Sequence, residues 1–166
     1  MSSKKTSKVL PPALSLAVQY ASTAPDLPTR PQFRRWFRAA LQRDVRVTLR
    51  IVDEAEGREL NKNFRGKDYA TNVLTFVYDD EVQPSLSGDV VICAAVVEKE
   101  ASVQHKELMA HYAHMTIHAA LHLQGYDHEQ EDDAAEMEAL ETRLMLKLRY
   151  PDPYQELQVR NGTPRE

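Results

Sequence analysis

All six histidines of this 166-residue chain fall between His105 and His128. Three of them, His118, His122 and His128, restrict the fold more than any other feature. Residues four apart on an α-helix project from the same side, so His118 and His122 address one point if their segment is helical. The apolar residues from Lys106 to Leu123 (Leu108, Met109, Tyr112, Met115, Ile117 and Leu121) follow that helical pattern. His128 can join the pair if the chain turns back directly afterwards. Gly125 supplies the turn, because glycine adopts positive φ at low cost and commonly ends helices.

The remaining elements follow from local patterning. Ala13 to Ala21 partly alternates apolar and polar residues and reads as a strand. Thr29 caps a helix with Pro31 in its first turn, running to about Gln42 and burying Phe33, Trp36, Phe37 and Ala40. Val45 to Val52 alternates Val, Val, Leu and Val with Arg46, Thr48 and Arg50, a half-buried strand. Asp53 caps a short helix through Leu60 and Phe64, and Arg65 to Asp68 is a charged turn. Thr71 to Tyr78 and Gly88 to Cys93 are strands expected to pair antiparallel, joined by a loop holding Pro84 and Ser87. Ala94 to Val103 and Asp132 to Arg149 complete the helices, the last stopped by Pro151. This order predicts an α+β fold, a small mixed β-sheet of about four strands covered on one face by helices. The three-His metal site then lies at the end of a central helix. Residues 1–12 are expected to be a flexible N-terminus, 13–154 a single domain and 155–166 a disordered tail.

A chain of this length suits one domain that buries its core without disulfides. Its single cysteine, Cys93, cannot form an intrachain bridge, which fits a reducing compartment. Met1 to Lys8 is polar and basic with no apolar segment behind it, and no apolar run reaches the length of a membrane span. A cytoplasmic protein without membrane association is expected. Charge is split: residues 1–67 carry 14 Lys and Arg against 6 Asp and Glu, and residues 68–166 carry 7 against 19. Such a split marks either ordinary solvated surface or a basic face that meets a polyanion.

Three imidazoles around one zinc ion leave a fourth tetrahedral position open, the pattern of catalytic sites. A structural site would be closed by a further ligand, for which Cys93 is the one cysteine available. His114, one turn before His118, is read as orienting a neighbour through a hydrogen bond, and His105 and His111 as structural. The His118, His122, His128 spacing matches metzincin proteases, yet those place a glutamate base directly after the first histidine, where this chain has Ala119. The acidic residues Asp127, Glu129, Glu131, Asp132 and Asp133 suit a helix start through its dipole.

From Val45 to about Tyr154 the sequence resembles the YbeY endoribonuclease family. Three blocks carry the resemblance: Asn61-Lys-Asn-Phe-Arg65-Gly-Lys-Asp-Tyr-Ala-Thr71-Asn72-Val-Leu-Thr-Phe76, Gly88-Asp89-Val-Val-Ile, and His114-Met-Thr-Ile-His118-Ala-Ala-Leu-His122-Leu-Gln-Gly125-Tyr126-Asp127-His128 followed by Met137-Glu138-Ala-Leu-Glu141. Phe64 stands where the family commonly has Tyr, Ala70 and Val77 where it has Pro, Thr75 where it has Ser, and Ala119 where it has Gly; Ala119 would narrow the pocket beside the metal. The resemblance implies a zinc-containing, single-strand-specific endoribonuclease of the cytoplasm. Its implied substrate is a ribosomal RNA precursor, its setting small-subunit (16S) rRNA maturation and ribosome quality control, and its partners the small ribosomal subunit and associated proteins. It also implies that Arg65 is a functional arginine.

The residues themselves agree in part. Phosphodiester cleavage needs a nucleophile, a Lewis acid and a cation for developing charge. Arg65 offers a planar bidentate donor for phosphate, against the alternative of a surface salt bridge. Arg34, Arg35, Arg38, Arg46 and Arg50 are candidates to track an RNA backbone. No platform of exposed aromatics is expected, so base specificity should be weak. A zinc peptidase-like hydrolase and a ribosome-assembly factor with a chiefly structural zinc are the alternatives, and the oligomeric state is left open.

Overall fold

The chain folds in the order β1 (Leu14–Ala21), α1 (Arg30–Ala39), β2 (Val45–Val52), α2 (Glu54–Arg65), β3 (Val73–Tyr78), β4 (Leu86–Cys93), α3 (Ala94–Val103), α4 (Leu108–Leu123) and α5 (Glu131–Lys147). The structure is a computed structural model that describes residues 10–78 and 85–155. Most of the termini expected to be flexible, and residues 79–84 of the expected loop, lie outside the described residues.

The sheet order is β1-β2-β4-β3. β1, β2 and β4 are parallel, and β3 runs antiparallel to β4 as expected. Parallel neighbours need long crossovers. α1 provides one between β1 and β2, and α2 with β3 provides the other between β2 and β4. α1 begins with a reciprocal cap: the Thr29 side chain accepts from the Gln32 amide, and the Gln32 side chain accepts from the Thr29 amide at 2.8 Å.

Alternation sorts the β2 side chains. Val45, Val47, Leu49 and Ile51 enter the main core beside Val90 and Ile92 of β4, under α1, α4 and α5. Each such side chain, fully buried, stabilises by about 1.5–3 kcal/mol. α4 is buried at every position from Ala110 to Ile117, as a helix apolar around most of its circumference must be.

The expectation of helices on one face only needs correction. The register brings Val52 beside Cys93 and Leu74 beside Val91 on the opposite face. These apolar residues form a second, smaller core cluster with Leu60 of α2 and Phe76 of β3. Gly88 leaves no room for a side chain. A Cβ there would lie 2.5 Å from Leu123 Cδ1 and 2.5 Å from the Phe76 carbonyl oxygen; the leucine tip can turn aside, but the carbonyl belongs to the backbone of the paired strand, so any side chain would disturb the β3–β4 pairing. Among the described residues no helix is long and apolar enough to cross a membrane.

Candidate functional site

α4 places His118 and His122 one turn apart on one side. Their rings stack nearly parallel, 9° between planes, with centres 6.4 Å apart. The helix ends at Leu123, and Gly125 takes φ 112° to turn the chain. The turn is pinned from outside. Gln124 Nε2 donates to the Ala40 carbonyl at 2.8 Å, the Gln42 amide donates to Gln124 Oε1 at 2.7 Å, and Gln42 Nε2 donates to the Tyr126 hydroxyl at 3.1 Å. Asp127 then accepts from the His128 amide at 2.7 Å and the Glu129 amide at 3.2 Å, a tight local turn that presents the His128 ring. The ring centre of His128 stands 5.3 Å from that of His118 and 5.9 Å from that of His122.

Each helical histidine has one nitrogen committed. His118 Nδ1 donates to Glu141 Oε2 at 2.6 Å, and His122 Nδ1 donates to the Tyr126 carbonyl at 3.0 Å. A carbonyl can only accept, so Nδ1 of His122 carries the proton and Nε2 keeps its lone pair. The anionic carboxylate imposes the same tautomer on His118. This is how proteins orient imidazoles for a metal.

Glu141 is fully buried on α5. It also accepts from His114 Nε2 at 2.8 Å and from the Tyr154 hydroxyl. Burial favours its neutral form, but the hydrogen bonds from His114 and His118 outweigh this and hold its carboxyl down at about 2. Burial pushes His114 below its ordinary value as well, against the hydrogen bond to Glu141, and so favours its neutral form.

The donor set suits zinc. Three imidazoles at about 2.1 Å from a tetrahedral ion have ring centres roughly 5 Å apart, and the observed triangle is slightly wider. Among the described residues no three such donors meet the spacing of a metal site, in keeping with the wider triangle. Cys93 does not join them: it is buried in the second cluster, beside Val52 and Val91.

These groups line a cleft of about 730 Å3 that includes Arg65, Asn72, Phe64 and Phe76. Arg65 is the last residue of α2 rather than part of the turn, which starts at Gly66. It is exposed and makes no ion pair among the described residues. The salt bridge in this region is instead Arg58 with Asp68 at 2.8 Å. The other arginines are not gathered. Arg34, Arg35 and Arg38 are exposed on α1, Arg46 and Arg50 lie on the opposite sheet face, and Arg50 is bonded to Glu56 at 2.8 Å. None of the five lines the cleft, so they form no single track toward it.

Sequence reading assigned no role to Glu141. It sits 23 residues from His118 in a charged helix whose acidic residues look like solvated surface. Its signals were its place in the Met137 to Glu141 stretch of the resemblance and its spacing, since it shares the inward side of α5 with Met137 and Met145. On the cleft wall Phe64 is 64% exposed and sits edge-on to Phe76 at 5.2 Å.

The family model described as endoribonuclease YbeY matches residues 22–149. A protein named endoribonuclease YbeY from Nitrosospira multiformis is 54% identical, over 87% of this chain and 83% of its own length. Another of that name from Nitrosomonas europaea is 57% identical, over 85% of each. The solution structure of TM1509 from Thermotoga maritima superposes with a TM-score of 0.52 at 25% identity, covering 85% of this chain and 99% of that one.

Proposed function

Because this chain belongs to the endoribonuclease YbeY family, we propose that its cleft cuts single-stranded RNA, with one zinc ion per chain held by His118, His122 and His128. Its substrate is a precursor of small-subunit (16S) ribosomal RNA in the cytoplasm, where it acts with the small ribosomal subunit and associated proteins in maturation and quality control. The single observation that carries the site assignment is the pair of committed Nδ1 atoms, to Glu141 and to the Tyr126 carbonyl, which leaves two Nε2 lone pairs on the cleft side of α4. A zinc ion bound there supplies Lewis acidity to a phosphate oxygen. The chain's own residues do the rest. Glu141 offsets positive charge beneath the site and fixes the His118 ring. Arg65 brings parallel N–H donors to the phosphate, where negative charge grows in the transition state.

A peptidase would need a carboxylate after His118, and that residue is the buried Ala119. A purely structural zinc fits poorly with ligands in an open cleft, where His128 is exposed. Metal analysis of purified protein should find about one zinc per chain, most of it lost in His118→Ala, His122→Ala or His128→Ala, and less of it in His114→Ala. Full zinc in His128→Ala would remove that residue from the set. The same preparation should cut RNA and leave casein intact. Product ends then identify the nucleophile: a 2′,3′-cyclic phosphate means the ribose hydroxyl, and a 5′-phosphate means water.

A further inference from the structure

The wall of the cleft beside Arg65 holds an aromatic pair that the core does not explain. Phe64 is the penultimate residue of α2 and is 64% exposed. Its ring meets the half-buried ring of Phe76 at 67°, with centres 5.2 Å apart. Phe76 is anchored on β3 against the second core cluster, so it acts as a buttress that fixes the plane of Phe64. A phenyl ring this exposed gains little from burial, yet its orientation is set from behind.

A cation flanks it. Arg65, the next residue, is exposed, lines the same cleft and makes no ion pair among the described residues. An oriented, exposed ring beside a free guanidinium is what a single-stranded nucleic acid engages, its phosphate on the cation and a base on the ring. A protein partner's apolar side chain would match the ring but would have no use for the adjacent guanidinium.

We infer that Phe64, held by Phe76, is the stacking platform for one unpaired nucleobase, that of a nucleotide flanking the phosphate contacted by Arg65. This rests on the RNA-cleaving reading above and adds a residue that positions the strand. Phe64 and Arg65 are consecutive in the chain, so base and phosphate are gripped within one nucleotide of each other. A base within a duplex already has both faces stacked and offers none to Phe64. The platform therefore favours single strands without favouring a sequence, because every base has a π-face.

The test pairs a protein change with a substrate change. Full-length protein with its metal cleaves a short single-stranded RNA, unmodified or with one abasic nucleotide placed at each position in turn. In wild-type protein one abasic position next to the cleavage site should raise KM about tenfold, the scale of one lost stacking contact. Phe64→Ala should raise KM for unmodified RNA by a similar factor and show no further loss at that abasic position. Phe64→Trp should restore both the affinity and the abasic penalty. Zinc content and Tm should be unchanged in both variants. An abasic penalty that persists undiminished in Phe64→Ala, or a normal KM in that variant, overturns the platform. So does a loss that Phe64→Trp fails to rescue while Tm falls, which would make Phe64 a packing residue. Wild-type protein that leaves the unmodified RNA intact overturns the nuclease reading, and the platform falls with it.

Discussion

Glu100 and Glu141 reach α4 from neighbouring helices, and each accepts a hydrogen bond from its histidines. Glu100, on α3, takes His111 Nε2 at 2.9 Å and the Asn72 amide at 3.2 Å, with its side chain 30% exposed. Glu141, on α5, takes His114, His118 and Tyr154 and is fully buried. The difference lies in each histidine's other nitrogen. His111 Nδ1 is buried without a partner, so its ring is sealed into the fold. His118 lines the cleft, and its second nitrogen is free for a ligand. A carboxylate–histidine pair is therefore no mark of function by itself. What the remaining nitrogen faces decides.

The largest expected effect is at Glu141. Glu141→Ala orphans several buried donors, at about 1–3 kcal/mol each, and thermal melts should show a protein close to unfolded. Glu141→Gln keeps the shape but loses the charge, and should weaken zinc retention ten- to hundredfold in a chelator competition, the usual scale for partners of metal-bound histidines. Glu100→Gln should leave zinc retention unchanged; equal losses in both variants would erase the distinction between the two assemblies.

Arg65→Ala should lower RNA turnover on the order of a hundredfold, about 2.7 kcal/mol, with zinc content and Tm unaltered. Arg65→Lys should recover part of the rate, because lysine keeps the charge without the fork. A variant that instead melts early would make Arg65 a structural residue.

A smaller effect belongs to Glu100. Glu100→Gln should cost about 1 kcal/mol and lower Tm by roughly 2–4 °C near neutral pH. Burial works against ionisation of Glu100, but hydrogen bonds from His111 and Asn72 prevail and lower its carboxyl from the ordinary 4.5. The unfolded chain therefore takes up the proton first. The stabilisation is full above that ordinary value and fades as pH falls through the folded value. The smallest expected signal is thus a Tm gap between wild type and Glu100→Gln that narrows below about pH 4.5. A gap that widens on acidification would give the contact a different origin.

Much of this was legible in the residues. Period-two alternation located β2, helical spacing located α4, and Gly125 marked its end, because those signals are local and depend on burial. The antiparallel pair β3 and β4 followed from adjacency. The order β1-β2-β4-β3 did not, since it depends on contacts between distant segments. Glu141 escaped notice for the same reason: its burial is created by α4 and Tyr154, not by its neighbours in the chain. The sequence places Phe64 in a short helix, but helical spacing cannot tell a buried ring from one propped at a rim. The histidine spacing was visible, but the hydrogen bonds that leave Nε2 of His118 and His122 available were not.

The clamp joining Gln42 and Ala40 to Gln124 and Tyr126 bears on how this chain can be divided. β1 and α1 supply no residue to the cleft, and the resemblance read from the sequence begins only at Val45. A fragment starting there would carry every histidine, Arg65 and Glu141, yet would lack Gln42 and Ala40, the groups that hold the Gly125 turn and with it the approach of His128. For engineering by truncation or by grafting onto another scaffold, the smallest transferable unit is larger than the set of chemically active residues, and its boundary lies upstream of Ala40.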